Sequence, residues 1–274
     1  MSGQESKKRR VFYYAAVLAG CVILAVLEFF PPEWSKDELI NDLLGTSVKE
    51  LLGAAVFMPI ALRSGYRVFG FRPGAGVRDV LVFLAALLVA LNNIPFIGLA
   101  TGAASVTRGG KYIALYVLRS LSIGLFEELA FRGVLYPAIL EKRRSSTRSI
   151  FLATAVSSAL FGLVHLFNLF LGAAPGGVLL QIGYSFLIGG MCSIVLLKTG
   201  CVWLCVLIHG LFDFGGFLIE KLGEGKIWDP VTVTLTAVIG CAVLVYMLFV
   251  IFGIRPEETD FLYAPEARRE EENQ

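Results

Sequence analysis

Asp79–Gly98 reads DVLVFLAALLVALNNIPFIG, and Val11–Phe30 reads VFYYAAVLAGCVILAVLEFF. Each is a mostly apolar run of about 20 residues, the length an α-helix needs to cross a hydrocarbon core of roughly 30 Å. Such runs recur along a 274-residue chain that is 56% hydrophobic and 17% charged. Soluble domains carry about 25% charged residues and about 45–50% apolar ones. Runs this long and this numerous exceed what one soluble core accommodates. The chain therefore reads as an all-α, polytopic integral membrane protein.

Working outward from these runs, eight spanning segments are expected, at about 11–30, 47–64, 79–98, 112–139, 149–170, 177–197, 201–220 and 230–253. Breakers separate several of them: Pro31-Pro32, Pro73-Gly74, Gly109-Gly110 and Pro175-Gly176-Gly177. The expected organisation is a basic N-terminus (1–10), a transmembrane domain (11–254) with its motif core at about 112–220, and a loose polar tail (255–274). The run after Lys7, Lys8, Arg9 and Arg10 is too long for a signal peptide, and no small-x-small cleavage site precedes Pro31, so a retained first helix is expected.

Lysine and arginine alternate between connections. Arg63, Arg67, Arg72 and Arg78 surround the second connection, and Lys142, Arg143, Arg144 and Arg148 the fourth. The first, third, fifth and seventh connections are poorer in positive charge. By the positive-inside rule this predicts an even number of spans with both termini cytoplasmic, in the cell membrane if the source is prokaryotic. A net charge of +2 and the lack of a basic stripe give no support to a nucleic-acid partner. Cys21, Cys192, Cys201, Cys205 and Cys241 all lie in apolar segments; Cys201 and Cys205 are not at zinc-motif spacing, and the five read as small apolar residues.

Ionisable residues inside spanning helices cost at least about 2.5–3.5 kcal/mol at mid-membrane and mark function. Glu28 and Arg119 are two of them. The rest fall in three short patterns. Phe126-Glu127-Glu128-Leu129-Ala130-Phe131-Arg132 places Glu128 and Arg132 four apart, on one helix face. Glu127 is rotated by about 100° from Glu128 and stays free. A free carboxylate in a low-dielectric site suits a general base near neutral pH. Phe161-Gly162-Leu163-Val164-His165 and His209-Gly210-Leu211-Phe212-Asp213 hold the chain's two histidines. Asp213 can orient or charge His209 from one turn away.

Read alone, the Glu-Glu pattern is equally an ion-pair cluster joining helices. Taken together, the three patterns supply the minimum set for activating a water or holding a metal. Ser157, Ser158 and Ser193 lack a nucleophile setting.

Glu-Glu-x-x-x-Arg, Phe-x-x-x-His and His-x-x-x-Asn/Asp, in this order on apolar helices, resemble the type II CAAX prenyl endopeptidases, the Abi or CPBP family of intramembrane proteases. The motifs span Glu127 to Asp213. The resemblance implies that Glu127 activates water with His165, that His209 and Asp213 face the scissile carbonyl, and that Glu128 and Arg132, with Phe161, support them. The prenyl-protein form carries asparagine where this chain has Asp213. An ionised aspartate cannot donate to an oxyanion, so Asp213 is either protonated by burial or stabilises a protonated His209. The change also opens a zinc alternative with Glu127, His165 and His209 as ligands. The expectation is metal-free glutamate chemistry, without a cofactor, on a prenylated or membrane-inserted peptide in the bilayer. A non-catalytic immunity or scaffold protein of the same fold, and a proton-coupled transporter, are the competing functions.

Overall fold

The computed structural model describes residue 20 and residues 22–24, 26–30 and 32–263. Most of the expected first span, 11–30, lies outside the described residues, as do Lys7–Arg10, Cys21 and residues 264–274. From residue 32 onward the chain forms α1 (Glu38–Arg63), α2 (Val77–Asn92), a short α3 (Phe96–Thr101), α4 (Lys111–Ala130), α5 (Tyr136–Glu141), α6 (Thr147–Leu163), α7 (Pro175–Thr199), α8 (Val202–Leu222) and α9 (Pro230–Phe252). A π-helical turn, Phe131–Leu135, joins α4 to α5, and 3-10 turns cover Val164–Leu169 and Pro256–Leu262. Strands β1 (Ala104–Val106) and β2 (Gly223–Gly225) pair antiparallel, with Ala104 opposite Gly225.

Among the described residues five helices are long and apolar enough to cross a membrane: α1, α6 with its 3-10 extension, α7, α8 and α9. Large apolar side chains such as Leu179, Leu180, Phe249 and Phe252 face outward, as lipid contact requires.

Boundaries differ from expectation where local chemistry intervenes. The second span begins at Glu38 rather than near 47, because Asp37 caps it: its Oδ1 accepts from the Leu39 and Ile40 amides at 3.0 and 3.2 Å. The Tyr112 hydroxyl donates to the other oxygen at 2.6 Å, and that bond, with the two amides, holds the Asp37 carboxyl below its usual range. The run 79–98 is not one helix. α2 stops at Asn92 and Pro95 starts α3, because the residue before a proline is driven out of the helical region. The C-terminal segment is not loose as far as it is described. Residues 256–262 form a 3-10 turn, Tyr263 bridges to Tyr66, and Glu258 reaches Lys198 at 3.3 Å and Arg72 at 3.6 Å.

Small residues set the helix spacing. A Cβ at Gly124 would sit 2.9 Å from the Val206 carbonyl oxygen and 3.0 Å from the Gly210 nitrogen. α4 and α8 therefore touch backbone to backbone, as small residues permit between membrane helices. Gly162 does the same for α6 against α7, at 2.9 Å from the Ile182 oxygen. The Tyr116 hydroxyl on α4 donates to the Phe214 carbonyl at 2.8 Å, tying α8 at the level of Asp213.

Candidate active site

The π turn and the close α4–α8 contact decide the geometry of the first motif. Glu128 and Arg132 are both fully buried, and Arg132 Nη1 donates to Glu128 Oε1 at 3.0 Å. Gly189 on α7 leaves room for them: a Cβ there would lie 2.9 Å from Arg132 Nη2 and 3.1 Å from Phe161. The same Glu128 oxygen accepts from His209 Nδ1 at 2.8 Å. A carboxylate only accepts, so the Nδ1 proton is fixed on this side of the ring. Asp213, expected as the group that orients His209, is instead 3.7 Å from Nε2, beyond hydrogen-bond range. Glu128 does the orienting, because the glycine contact brings α4 nearer to His209 than one helical turn brings Asp213.

His209 Nε2 then points into a cavity, where Glu127 Oε2 also lies 3.7 Å away. Glu127 Oε2 is buried and makes no hydrogen bond among the described residues. His165 sits in the 3-10 turn rather than in the α-helix proper. Its Nδ1 donates to the Phe161 carbonyl at 3.0 Å, which leaves Nε2 as the ring's remaining nitrogen. Phe161 is the common neighbour of the cluster. Its ring centroid is 5.6 Å from those of His165 and His209, each edge to face, and 4.6 Å from Arg132 Cζ. Such a cation–aromatic contact favours a desolvated guanidinium.

The cavity holds about 320 Å³ and is lined by Glu127, Phe161, His165, His209 and Asp213 together. Of the predicted site residues, Glu128 and Arg132 lie behind this wall rather than on it. The cavity also takes in residues to which the sequence reading gave no role. Arg119 lines it with Nε and Nη1 buried and without hydrogen bonds among the described residues. Lys49 and Glu50, read from sequence as the edge of a span, lie well inside α1 because the Asp37 cap starts that helix early. Lys49 pairs with Glu50 at 3.2 Å and with Glu28. Asn168 donates to Gln181 at 2.8 Å across the cavity wall. The signal for these was in the sequence as polar residues inside or beside apolar runs, but no short pattern grouped them.

The serines do not compete as nucleophiles. Ser158 and Ser193 donate to carbonyls of their own helices, Thr154 at 2.7 Å and Gly189 at 2.9 Å, and Ser157 is fully buried. Glu127, His165 and His209 do not draw three ligand atoms within 4.8 Å of one another. Among the described residues only Glu128, Cys192 and Cys205 do so, and that carboxylate is already held by Arg132 and His209. The three expected zinc ligands are therefore not drawn together as a preassembled metal cluster.

Residues 109–215 match the family described as "Type II CAAX prenyl endopeptidase Rce1-like". The matched stretch contains all three motifs, and the resemblance read from them is borne out at family level. No match was found among curated proteins or among solved structures.

Proposed function

We propose that this chain, type II CAAX prenyl endopeptidase Rce1-like over residues 109–215, is an intramembrane endopeptidase that hydrolyses a peptide bond of a prenylated or membrane-inserted substrate without a metal. The observation that carries the reading is Glu127. It is a half-buried carboxylate whose buried Oε2 finds no hydrogen-bond partner among the described residues, in the same cavity as both histidines.

In this reading a water sits between Glu127 Oε2 and His165 Nε2. Glu127 takes one proton as the oxygen attacks the scissile carbonyl. His209, its Nδ1 proton committed to Glu128, presents a protonated Nε2 to the oxyanion, and Asp213 balances that charge from 3.7 Å. Collapse of the intermediate breaks the C–N bond, and Glu127 returns its proton to the leaving amine. A donor of this kind is typically worth about 2.7–4 kcal/mol of transition-state stabilisation. The base adds roughly 10²–10⁴-fold. Arg132 acts through Glu128 and does not touch the substrate, and Phe161 supports His165 and His209 from the cavity wall.

The test is cleavage of a fluorogenic farnesylated CAAX peptide by purified protein in detergent, wild type against Glu127→Ala, with and without a chelator. Cleavage that is lost in the variant and untouched by the chelator supports the reading. Cleavage abolished by the chelator moves Glu127, His165 and His209 to metal ligands. Cleavage by neither protein removes prenylated peptides from the substrate class.

A further inference from the structure

The two ends of the bundle differ in charge, and the cavity's lining extends toward only one of them. At one end, the Tyr66–Tyr263 and Phe69–Cys201 bridges, the Thr147–Ile254 hydrogen bond and the Lys198–Glu258 pair bring together the α1–α2, α5–α6, α7–α8 and post-α9 segments. At the other, the β1–β2 ribbon, the Tyr112–Asp37 bond and the Lys221–Asp42 pair at 2.8 Å gather the starts of α1 and α4 with the end of α8. Each of the helices α1, α4, α6, α7 and α8 contributes to the cavity only from its catalytic level toward this second end. α1 supplies Asp42, Thr46 and Lys49; α4 supplies Arg119 and Ile123; the α6 extension supplies Asn168; α7 supplies Gln181; and α8 supplies Phe217. Among the described residues, no lining residue lies between the catalytic level and the first end.

The first end carries Arg63, Arg67, Arg72 and Arg78 around one connection, Lys142, Arg143, Arg144 and Arg148 around another, and Lys198 and Arg255 beside the rest. The second end has fewer, Lys36, Arg108, Lys111, Lys221 and Lys226, set among Glu33, Asp37, Glu38, Asp42, Glu220, Glu224 and Asp229, and no charge at 170–174. Positive residues in short connections stay on the cytoplasmic side. We infer that the cavity is entered from the extracytoplasmic side, so that the substrate is a peptide segment presented at the outer leaflet rather than a cytoplasmic C-terminal tail. The side of entry stands independently of the hydrolase reading; the word substrate rests on it.

Depth sets a further requirement on that segment. Glu127 is 16 residues below Lys111 on α4, about 24 Å at 1.5 Å per residue. An extended chain covering roughly 24 Å needs about seven residues. The substrate must therefore offer a stretch of this length that is not folded as a helix when it enters.

Membrane-impermeant maleimide labelling of Thr46→Cys (cavity mouth), Glu33→Cys (exposed at the same end) and Ser145→Cys (exposed at the other end) tests the inference, with the unsubstituted protein as blank and Asp42→Cys as a second mouth variant should Thr46→Cys fail to fold. In intact cells Thr46→Cys and Glu33→Cys should label and Ser145→Cys should not, with the pattern reversed in sealed inverted vesicles. Mouth labelling confined to inverted vesicles overturns the inference. So does Glu33→Cys labelling from outside while the mouth does not, since the cavity would then be shut to water on that side. A fluorogenic peptide added to sealed right-side-out and inverted vesicles completes the test: the inference expects cleavage only in the former. Asymmetric labelling without cleavage in either would remove the hydrolase reading and leave the side of entry standing.

Discussion

Glu127 and Glu128 are adjacent, yet their replacement should have opposite consequences. In Glu128→Ala, Arg132 loses its hydrogen-bonded oxygen while remaining fully buried, with Nε and Nη2 already lacking partners. His209 Nδ1 loses its acceptor at the same time. Breaking a buried ion pair by removing one partner costs about 3–5 kcal/mol, because the other charge is stranded. Polar contacts between membrane helices average nearer 0.6 kcal/mol, since the unfolded chain in the membrane finds other partners. Both Arg132 and His209 are stranded here, so a loss of about 2–4 kcal/mol is expected. Glu127→Ala removes an oxygen that makes no hydrogen bond, and stability should change far less. Reversible unfolding of both variants in mixed micelles measures the contrast, and cleavage assays on the folded fractions measure activity. Wild-type stability in Glu128→Ala would refute the coupling of Glu128 to Arg132 and His209. Equal destabilisation in Glu127→Ala would refute its assignment as an unengaged base.

Further outcomes can be checked directly. Glu127→Gln should abolish cleavage while the protein keeps its elution profile and unfolding midpoint. Gly124→Ala should force α4 and α8 apart, because its Cβ meets backbone atoms at 2.9 and 3.0 Å. A loss of about 1–3 kcal/mol is expected, with slower turnover as Glu128 leaves His209. Capping of α1 by Asp37 should depend on pH with a definite sign. Its carboxyl is held low in the folded state, so the contribution is complete above about pH 4 and fades as pH falls through the lowered native value. Amide exchange at Leu39 and Ile40 should accelerate there but not near neutrality. Chelator treatment should leave both the unfolding midpoint and the cleavage rate unchanged.

The membrane class and most helix positions were legible because apolar runs of spanning length leave few alternatives. Helix ends were not, since they depended on caps and breakers: Asp37 extended α1 backward, and Pro95 cut 79–98 in two. The three motifs were legible as patterns of costly charges, and the Glu128–Arg132 pairing followed from spacing alone. The partner of His209 was hidden, because it depends on α4 meeting α8 through Gly124 and Gly210, a contact no spacing within one helix encodes. Arg119 and Glu50 were visible as charges but had no short-range grouping, so their place on the cavity wall emerged only from packing.

The π turn at Phe131–Leu135 has a bearing on how this helix tolerates change. Its closing bond, from the Tyr136 amide to the Phe131 carbonyl, spans five residues instead of four, so the helix carries one residue more than regular winding accommodates. The wide turn absorbs the surplus locally, so that the two halves of the helix keep their separate allegiances. Upstream, Glu128 and Arg132 face the ionic cluster. Downstream, Tyr136 meets Thr154 at 2.9 Å and Glu141 meets Tyr66 at 3.1 Å. Excising a single residue such as Val134 would remove the surplus and leave a regular helix whose two halves keep nearly their present phase. The same excision in a regular turn of α4 would swing one half against the other by about 100°, and the two sets of contacts could then no longer be satisfied together. A one-residue deletion in the π turn should therefore be better tolerated than one elsewhere in the same helix.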